Sequence, residues 1–130
     1  VRISARTGWR AGETLVLVNL VEFDSLYGHR NDCMGYARAL QRFDGQLALV
    51  LPELSATDLL IITADHGCDP TSVGTDHTRE FVPLIVYTPG VAGRDLGIRT
   101  TFADVAATIT ENFGLRPLPY GTSFLAEVKK

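Results

Sequence analysis

Residues 58–89 read DLLIITADHGCDPTSVGTDHTREFVPLIVYTP: two apolar runs with a polar loop between them. Asp58–Ala64 and Pro83–Pro89 are short, rich in branched aliphatic residues and bounded by turn formers. That is the pattern of strands buried on both faces. The loop carries two Asp-His pairs, Asp65-His66 and Asp76-His77, among Gly, Pro, Ser and Thr. A chain with three histidines has placed two of them beside aspartates, one just past a strand and one in the loop leading to the next.

The same pattern recurs upstream. Thr14–Leu20, TLVLVNL, is another apolar run, and the segment after it holds Asp24 and the third histidine, His29. Between that segment and residue 58 the period changes. Tyr36, Leu40, Phe43, Leu47, Val50 and Leu54 recur at steps of three and four, which places them on one face of a helix. Asn31 or Asp32 is expected to cap its start, and Pro52 to end or kink it. Downstream, TTFADVAATITENFGL reads as a second helix, with Thr100 or Thr101 as N-cap, an apolar stripe at Phe102, Val105, Ala106, Ile109 and Phe113, and Gly114 as the stop. The tail is turn-rich and then weakly helical.

Strand, long helix and strand form a βαβ unit, which normally joins parallel neighbours through a right-handed crossover. The expected fold is therefore α/β, a single unit over residues 1–130 with a mainly parallel sheet flanked by helices. In open sheets of that kind ligands bind beyond the carboxyl ends of the strands. Asp24, His29, Asp65, His66 and His77 are all expected at that edge.

Imidazole with carboxylate suits Zn, Mn or Fe. Gly28 gives the backbone freedom to turn Asp24 and His29 toward one ion, and Gly67 makes a bend plausible at Asp65-His66. Five donors exceed one tetrahedral site and point to two ions. Paired ions about 3.5–4 Å apart are the usual apparatus for in-line displacement at phosphorus. Alone, each Asp-His pair is a weak signal, since such residues are common in turns and caps. His29 reads equally as a surface residue beside Arg30 and Asp32, and His77 as a loop histidine paired to Asp76. Together the three carry the metal reading.

Composition narrows the rest. The chain has 130 residues, 45% of them hydrophobic, and a formal charge of −3. One ordinary core fits these values, and disorder does not. Without a Lys/Arg cluster, neither nucleic acid nor an anionic membrane surface is an expected partner. No apolar run approaches the roughly 20 residues of a membrane span, and the first residues lack the apolar core of a signal peptide. Cys33 and Cys68 have no metal or redox spacing and read as reduced thiols of a cytoplasmic protein. The only methionine is Met34, which fits either an initiator removed before Val1 or a longer parent chain.

NLVEFDSLYGHR (19–30), ITADHGCDPTSVGTDHTREFVPLIVY (62–87) and TFADVAATITENFG (101–114) closely resemble the C-terminal part of phosphopentomutases. These are members of the alkaline phosphatase superfamily, related to the cofactor-independent phosphoglycerate mutases. The resemblance runs from about Leu15 to Phe124. It implies that Asp24, His29 and His77 ligate one manganese ion, and Asp65 with His66 the second. It also implies a cytoplasmic enzyme of nucleoside metabolism that moves phosphate between positions 1 and 5 of ribose or deoxyribose. The implied route passes through a phosphothreonine and a bisphosphorylated sugar, so the partners are a pentose phosphate and a sugar bisphosphate activator. The metals would activate the threonine oxygen and neutralise charge on the phosphoryl group.

The family's nucleophilic threonine, a further aspartate ligand and the cap domain lie in its N-terminal part and have no counterpart here. Thr7 lacks the setting of that nucleophile. The chain is thus expected to be the C-terminal piece of the core and inactive by itself. The other readings are a phosphatase or phosphoglycerate mutase on the same metal core, and a metal-binding module without catalysis. Around the site, Arg79 and Glu80 are expected either to orient His77 or Asp76 or to anchor the next strand as an ion pair. Thr71 and Thr75 are expected to satisfy loop backbone groups, and Cys68 and Tyr27 to pack.

Overall fold

The structure, a computed structural model, describes residues 13–129. Thr7 lies outside the described residues. The longest element begins where the sequence offers a cap. The Asp32 carboxylate accepts from the Gly35 N–H at 2.8 Å and opens helix α1, Cys33–Val50. A 3-10 turn at Leu51–Glu53 follows, with Pro52 inside it. Pro has no N–H to donate to a continuing helix, so the element tightens and stops there. Gly35 and Ala39 are the buried positions of α1. Phe23 lies against this face, edge-on to Tyr36 at 5.4 Å and to Phe43 at 6.5 Å between centroids. Phe23 opens a π-helical turn, Phe23–Tyr27, and a 3-10 turn, Gly28–Arg30, leads on to the cap of α1.

Strands β1, Leu60–Thr63, and β2, Leu84–Tyr87, form inside the two runs that open the sequence reading. They pair antiparallel, with Leu60 opposite Tyr87 and Thr63 opposite Leu84. The expectation of a mainly parallel sheet is corrected: among the described residues the sheet is two-stranded and antiparallel. The connection explains the direction. A parallel return needs a crossover, usually helical, that carries the chain back to the starting end. Residues 64–83 contain no helix, and the loop folds on itself through an isolated antiparallel bridge between Gly67 and Thr78. The chain therefore reverses at one end of the sheet.

The expected βαβ unit is also absent among the described residues. Thr14–Leu20 is not a strand and pairs with neither β1 nor β2. Its apolar side chains are open to solvent, Leu17 at 90%. An apolar run becomes a strand only where a neighbour supplies the ladder, and among the described residues none pairs with this one.

The C-terminal third is helical. Helix α2, Ala103–Asn112, starts one or two residues later than the expected caps: Phe102 is its N-cap, and the Thr101 hydroxyl accepts from the Ala103 N–H at 3.2 Å. Gly114 ends the helix with φ 61°, a left-handed value that glycine adopts without strain. Helix α3, Leu125–Val128, closes the chain. Ala107, Thr108, Phe124 and Val128 are buried here. The Thr108 hydroxyl donates to the Asp104 carbonyl at 2.8 Å and accepts from the Phe124 N–H at 3.0 Å. Asp104 takes the Thr122 N–H and the Arg99 Nε–H, each at 2.8 Å. No helix of the described residues is long and apolar enough to cross a membrane.

Candidate metal centre

Asp24 stands in the first turn of the π-helical segment, and His29 in the 3-10 turn that follows it. These coiled turns, and not an open loop, bring the two side chains together, with His29 Nε2 3.3 Å from Asp24 Oδ1. Gly28 sits between them, where a Cβ would strike Cys68 Sγ. The absence of a side chain at Gly28 therefore lets the 24–30 segment lie directly on the 65–77 loop.

That loop supplies the other two imidazoles. The chain bends at Asp65-His66, as Gly67 suggested. A Cβ on Gly67 would meet the Thr78 carbonyl oxygen at 2.5 Å and the Glu80 nitrogen at 2.7 Å, so only glycine lets the two ends of the loop bridge there. His77 Nε2 reaches Asp24 Oδ1 at 3.4 Å and His66 Nε2 reaches it at 3.8 Å. The carboxylate that meets His77 is thus Asp24, far away in sequence. His66 and His77 stack with centroids 3.6 Å apart and planes 15° from parallel. His29 lies 4.9 Å from His77. The fifth expected residue, Asp65, is at the rim: its side chain is 90% exposed and its Oδ1 stands 3.7 Å from His66 Nε2.

Asp24, His29, His66 and His77 therefore converge, with Asp65 at the rim beside His66, and one oxygen at the centre lacks a donor. Asp24 Oδ1 is buried and has no hydrogen-bond partner. A buried acceptor left without a donor costs about 1–3 kcal/mol, and more when charged. The surrounding nitrogens stand at 3.3–3.8 Å, longer than an ordinary N–H···O bond. Ligands about 2.1 Å from a common centre stand about 3.4 Å apart when tetrahedral. Asp24, His29 and His77 each offer an atom within 4.8 Å of the others, so this donor set fits a divalent cation.

The outer nitrogens support the same arrangement. His29 Nδ1 meets the Thr75 carbonyl, and His66 Nδ1 meets the Gly67 carbonyl at 2.9 Å. A carbonyl can only accept, so each Nδ1 donates to it, which leaves Nε2 as the ring atom that faces Asp24.

The remaining expectations divide. Burial, then the nearby Asp24, Glu80 and Asp69 carboxylates, push the Cys68 thiol up, which leaves it a protonated packing group against Gly28. Tyr27 packs beside Gly35 and accepts from Arg42 Nη2 at 3.1 Å. Thr71 donates its N–H and hydroxyl to Asp69 Oδ1 at 2.8 and 2.6 Å, while Thr75 serves through its carbonyl. No ion pair joins Arg79 and Glu80 among the described residues. Thr78, whose hydroxyl accepts from the Asp69 N–H at 2.7 Å, and Asn31, whose amide donates to the Ser72 carbonyl at 2.8 Å, escaped the sequence reading. The Asp-x-Thr spacing of Asp69 and Thr71 is a turn signal that could have marked the base of this loop.

The Metalloenzyme superfamily matches residues 5–117, and the chain belongs to it. Membership implies that a divalent metal is bound, in keeping with a donor set found on geometry alone. Within that class the chain is similar to phosphopentomutases. It is 61% identical over 121 residues to the phosphopentomutase of Anaeromyxobacter sp. (strain K), covering 93% of this chain and 31% of that protein. It is 60% identical over 115 residues to the phosphopentomutase of Caldanaerobacter subterraneus subsp. tengcongensis, covering 88% of this chain and 29% of that one. The chain therefore spans about three-tenths of the length of these curated relatives.

Proposed function

We propose that this chain is the C-terminal part of the alkaline-phosphatase-like core of a phosphopentomutase. The full-length protein would interconvert ribose or deoxyribose 1-phosphate and 5-phosphate. The observation that carries the proposal is the buried, unpartnered Asp24 Oδ1 ringed by three imidazole nitrogens. It occurs in a chain 61% identical to a phosphopentomutase. Asp24, His29 and His77 would hold one divalent ion, and Asp65 with His66 a second, manganese being the choice that the resemblance favours. When bound, such ions supply Lewis acidity toward phosphoryl oxygens.

The chain's own residues do the placing. Asp24 contributes the negative charge that attracts cations. The Thr75 and Gly67 carbonyls fix the ring orientations of His29 and His66. Asp65 stands exposed at the solvent rim beside His66. The phosphate-carrying threonine, the cap domain that holds the sugar and the site for a sugar bisphosphate activator belong to the part of the relatives' length beyond this chain's span.

The test is an assay of the full-length protein with ribose 5-phosphate, Mn2+ and a sugar bisphosphate primer, following ribose 1-phosphate and free phosphate separately. Ribose 1-phosphate that disappears in His77→Ala supports the reading. Free phosphate without ribose 1-phosphate would make the protein a phosphatase on the same core. The 130-residue chain alone is expected to give no ribose 1-phosphate above background.

A further inference from the structure

The segment that carries His29 grips the 69–76 loop at regular intervals. His29, Asn31 and Cys33 each reach a backbone carbonyl: Thr75, Ser72 at 2.8 Å and Pro70 at 3.2 Å respectively. The positions alternate on one side and run in the opposite order on the other. His29 faces the metal centre, and a thiol is a weak donor. The amide of Asn31 is the strong neutral donor of the set.

The backbone of Asn31 is specialised as well. It has φ 52° and ψ 30°, and is the non-glycine residue with positive φ among the described residues. Asparagine tolerates this left-handed conformation better than most side chains. There it closes the Gly28–Arg30 turn, its N–H donating to the Gly28 carbonyl at 3.1 Å. Its own carbonyl accepts from the Cys33 N–H at 3.1 Å, just ahead of α1. One residue thus sets the path between His29 and the helix and also holds the facing loop.

That loop needs holding. Its base is tied within itself by the Asp69, Thr71 and Thr78 bonds and by the Gly67–Thr78 bridge. Its tip has no apolar anchor, since Val73 is fully exposed. The loop nevertheless delivers the Thr75 carbonyl to His29 Nδ1 and His77 to Asp24. Among the described residues, the hydrogen bonds that tie the tip to the Asp24 side of the site come from the 28–33 segment.

We propose that Asn31 is a positioning residue of the metal centre: its amide clamps the Ser72 carbonyl and so sets the registration of His77 and Thr75 against Asp24 and His29. This rests on the metal reading of the site, so the experiment separates the two. Mn2+ titrations of the metal-free full-length protein by calorimetry would compare wild type, Asn31→Gly, Asn31→Asp, His29→Ala and His77→Ala. Melting of each metal-free variant is measured alongside. Asn31→Gly keeps the left-handed backbone and deletes the clamp. Its dissociation constant should rise about tenfold, in the range seen when an outer partner of a metal ligand is removed, with no change in metal-free melting temperature. Asn31→Asp turns a carboxylate oxygen toward a carbonyl. It should also bind Mn2+ more weakly, although an added negative charge by itself favours a cation. An Asn31→Gly dissociation constant within about twofold of wild type would overturn the proposal. So would a loss matched by an equal drop in metal-free stability, since the amide would then only hold the fold together. Unchanged Mn2+ binding in both histidine variants would instead overturn the metal reading itself.

Discussion

Asp24 and Asp104 are both aspartates with a buried carboxylate oxygen, and their surroundings are opposite. At Asp104 each oxygen has a donor, Thr122 N–H on one and Arg99 Nε on the other, both at 2.8 Å. The Thr122 N–H first, and then the Arg99 guanidinium, hold that carboxyl below the usual carboxylate range against the opposing effect of burial. At Asp24 the neighbours are imidazole nitrogens at 3.3–3.8 Å, and Oδ1 has no hydrogen bond. One aspartate ties helix α2 to the 121–124 segment; the other offers its oxygen to a ring of imidazole nitrogens. A carboxylate whose oxygens both find donors serves the fold, whereas an oxygen shut from solvent without a donor, among imidazole nitrogens, is a candidate ligand. The Thr88 hydroxyl is also buried without a partner, but it is neutral and has no donor cluster around it.

The contrast can be broken by removing each carboxylate. Asp24→Ala in the full-length protein should lower Mn2+ affinity by more than about 100-fold, given that even outer partners of metal ligands are worth 10–100-fold. Its metal-free stability should stay within about 1 kcal/mol of wild type, because the deleted oxygen had no bond to lose. Asp104→Ala should do the reverse. It removes the acceptor of the Thr122 N–H and of the Arg99 Nε–H, while Arg99 keeps the Thr122 carbonyl and Glu127, at a cost of about 1–3 kcal/mol by chemical denaturation. Equal destabilisation by the two substitutions would erase the distinction.

A smaller effect tests how the two halves of the metal site fit. Gly28→Ala should destabilise by about 1–3 kcal/mol through overpacking, because its Cβ would collide with Cys68 Sγ. The double variant with Cys68→Ala should recover most of that loss in the same melting assay. Gly67→Ala, which meets backbone atoms of Thr78 and Glu80, should not be rescued in this way.

The smallest expected effect is on pH dependence. The folded Asp104 carboxyl is lowered below its ordinary value of 3.8. Its contribution is then complete above about pH 5 and disappears as pH falls through the folded value. Stability should decline on acidification below about pH 4, and Asp104→Asn should flatten that decline in acid titrations followed by circular dichroism.

Much of the site was legible because the chain has three histidines, each with an aspartate close by in sequence, so they could be read without knowing the contacts. Asp24, His29, His66 and His77 were singled out and lie together, with Asp65 exposed beside His66. Helix α1 was legible from its apolar period and from Asp32, and its end from Pro52. The direction of the sheet was not. Apolar runs report burial but not which neighbour a strand finds. Only the self-bridging of residues 64–83 through Gly67 and Thr78 shows that β2 returns beside β1 in reverse. Thr14–Leu20 shows the same limit, since its composition suits a strand but the ladder depends on a partner. Asn31 escaped because a lone asparagine before a helix reads as a cap, and the cap proved to be Asp32.

The central claim is that Asp24 Oδ1 and the Nε2 atoms around it are a metal seat. Crystals of the full-length protein grown with Mn2+ and measured at the manganese absorption edge test it most directly. An anomalous peak about 2.0–2.3 Å from Asp24 Oδ1 and from the Nε2 atoms of His29 and His77 is the predicted result. No peak at that position, with Asp24 Oδ1 instead accepting a direct hydrogen bond from an imidazole, would contradict it.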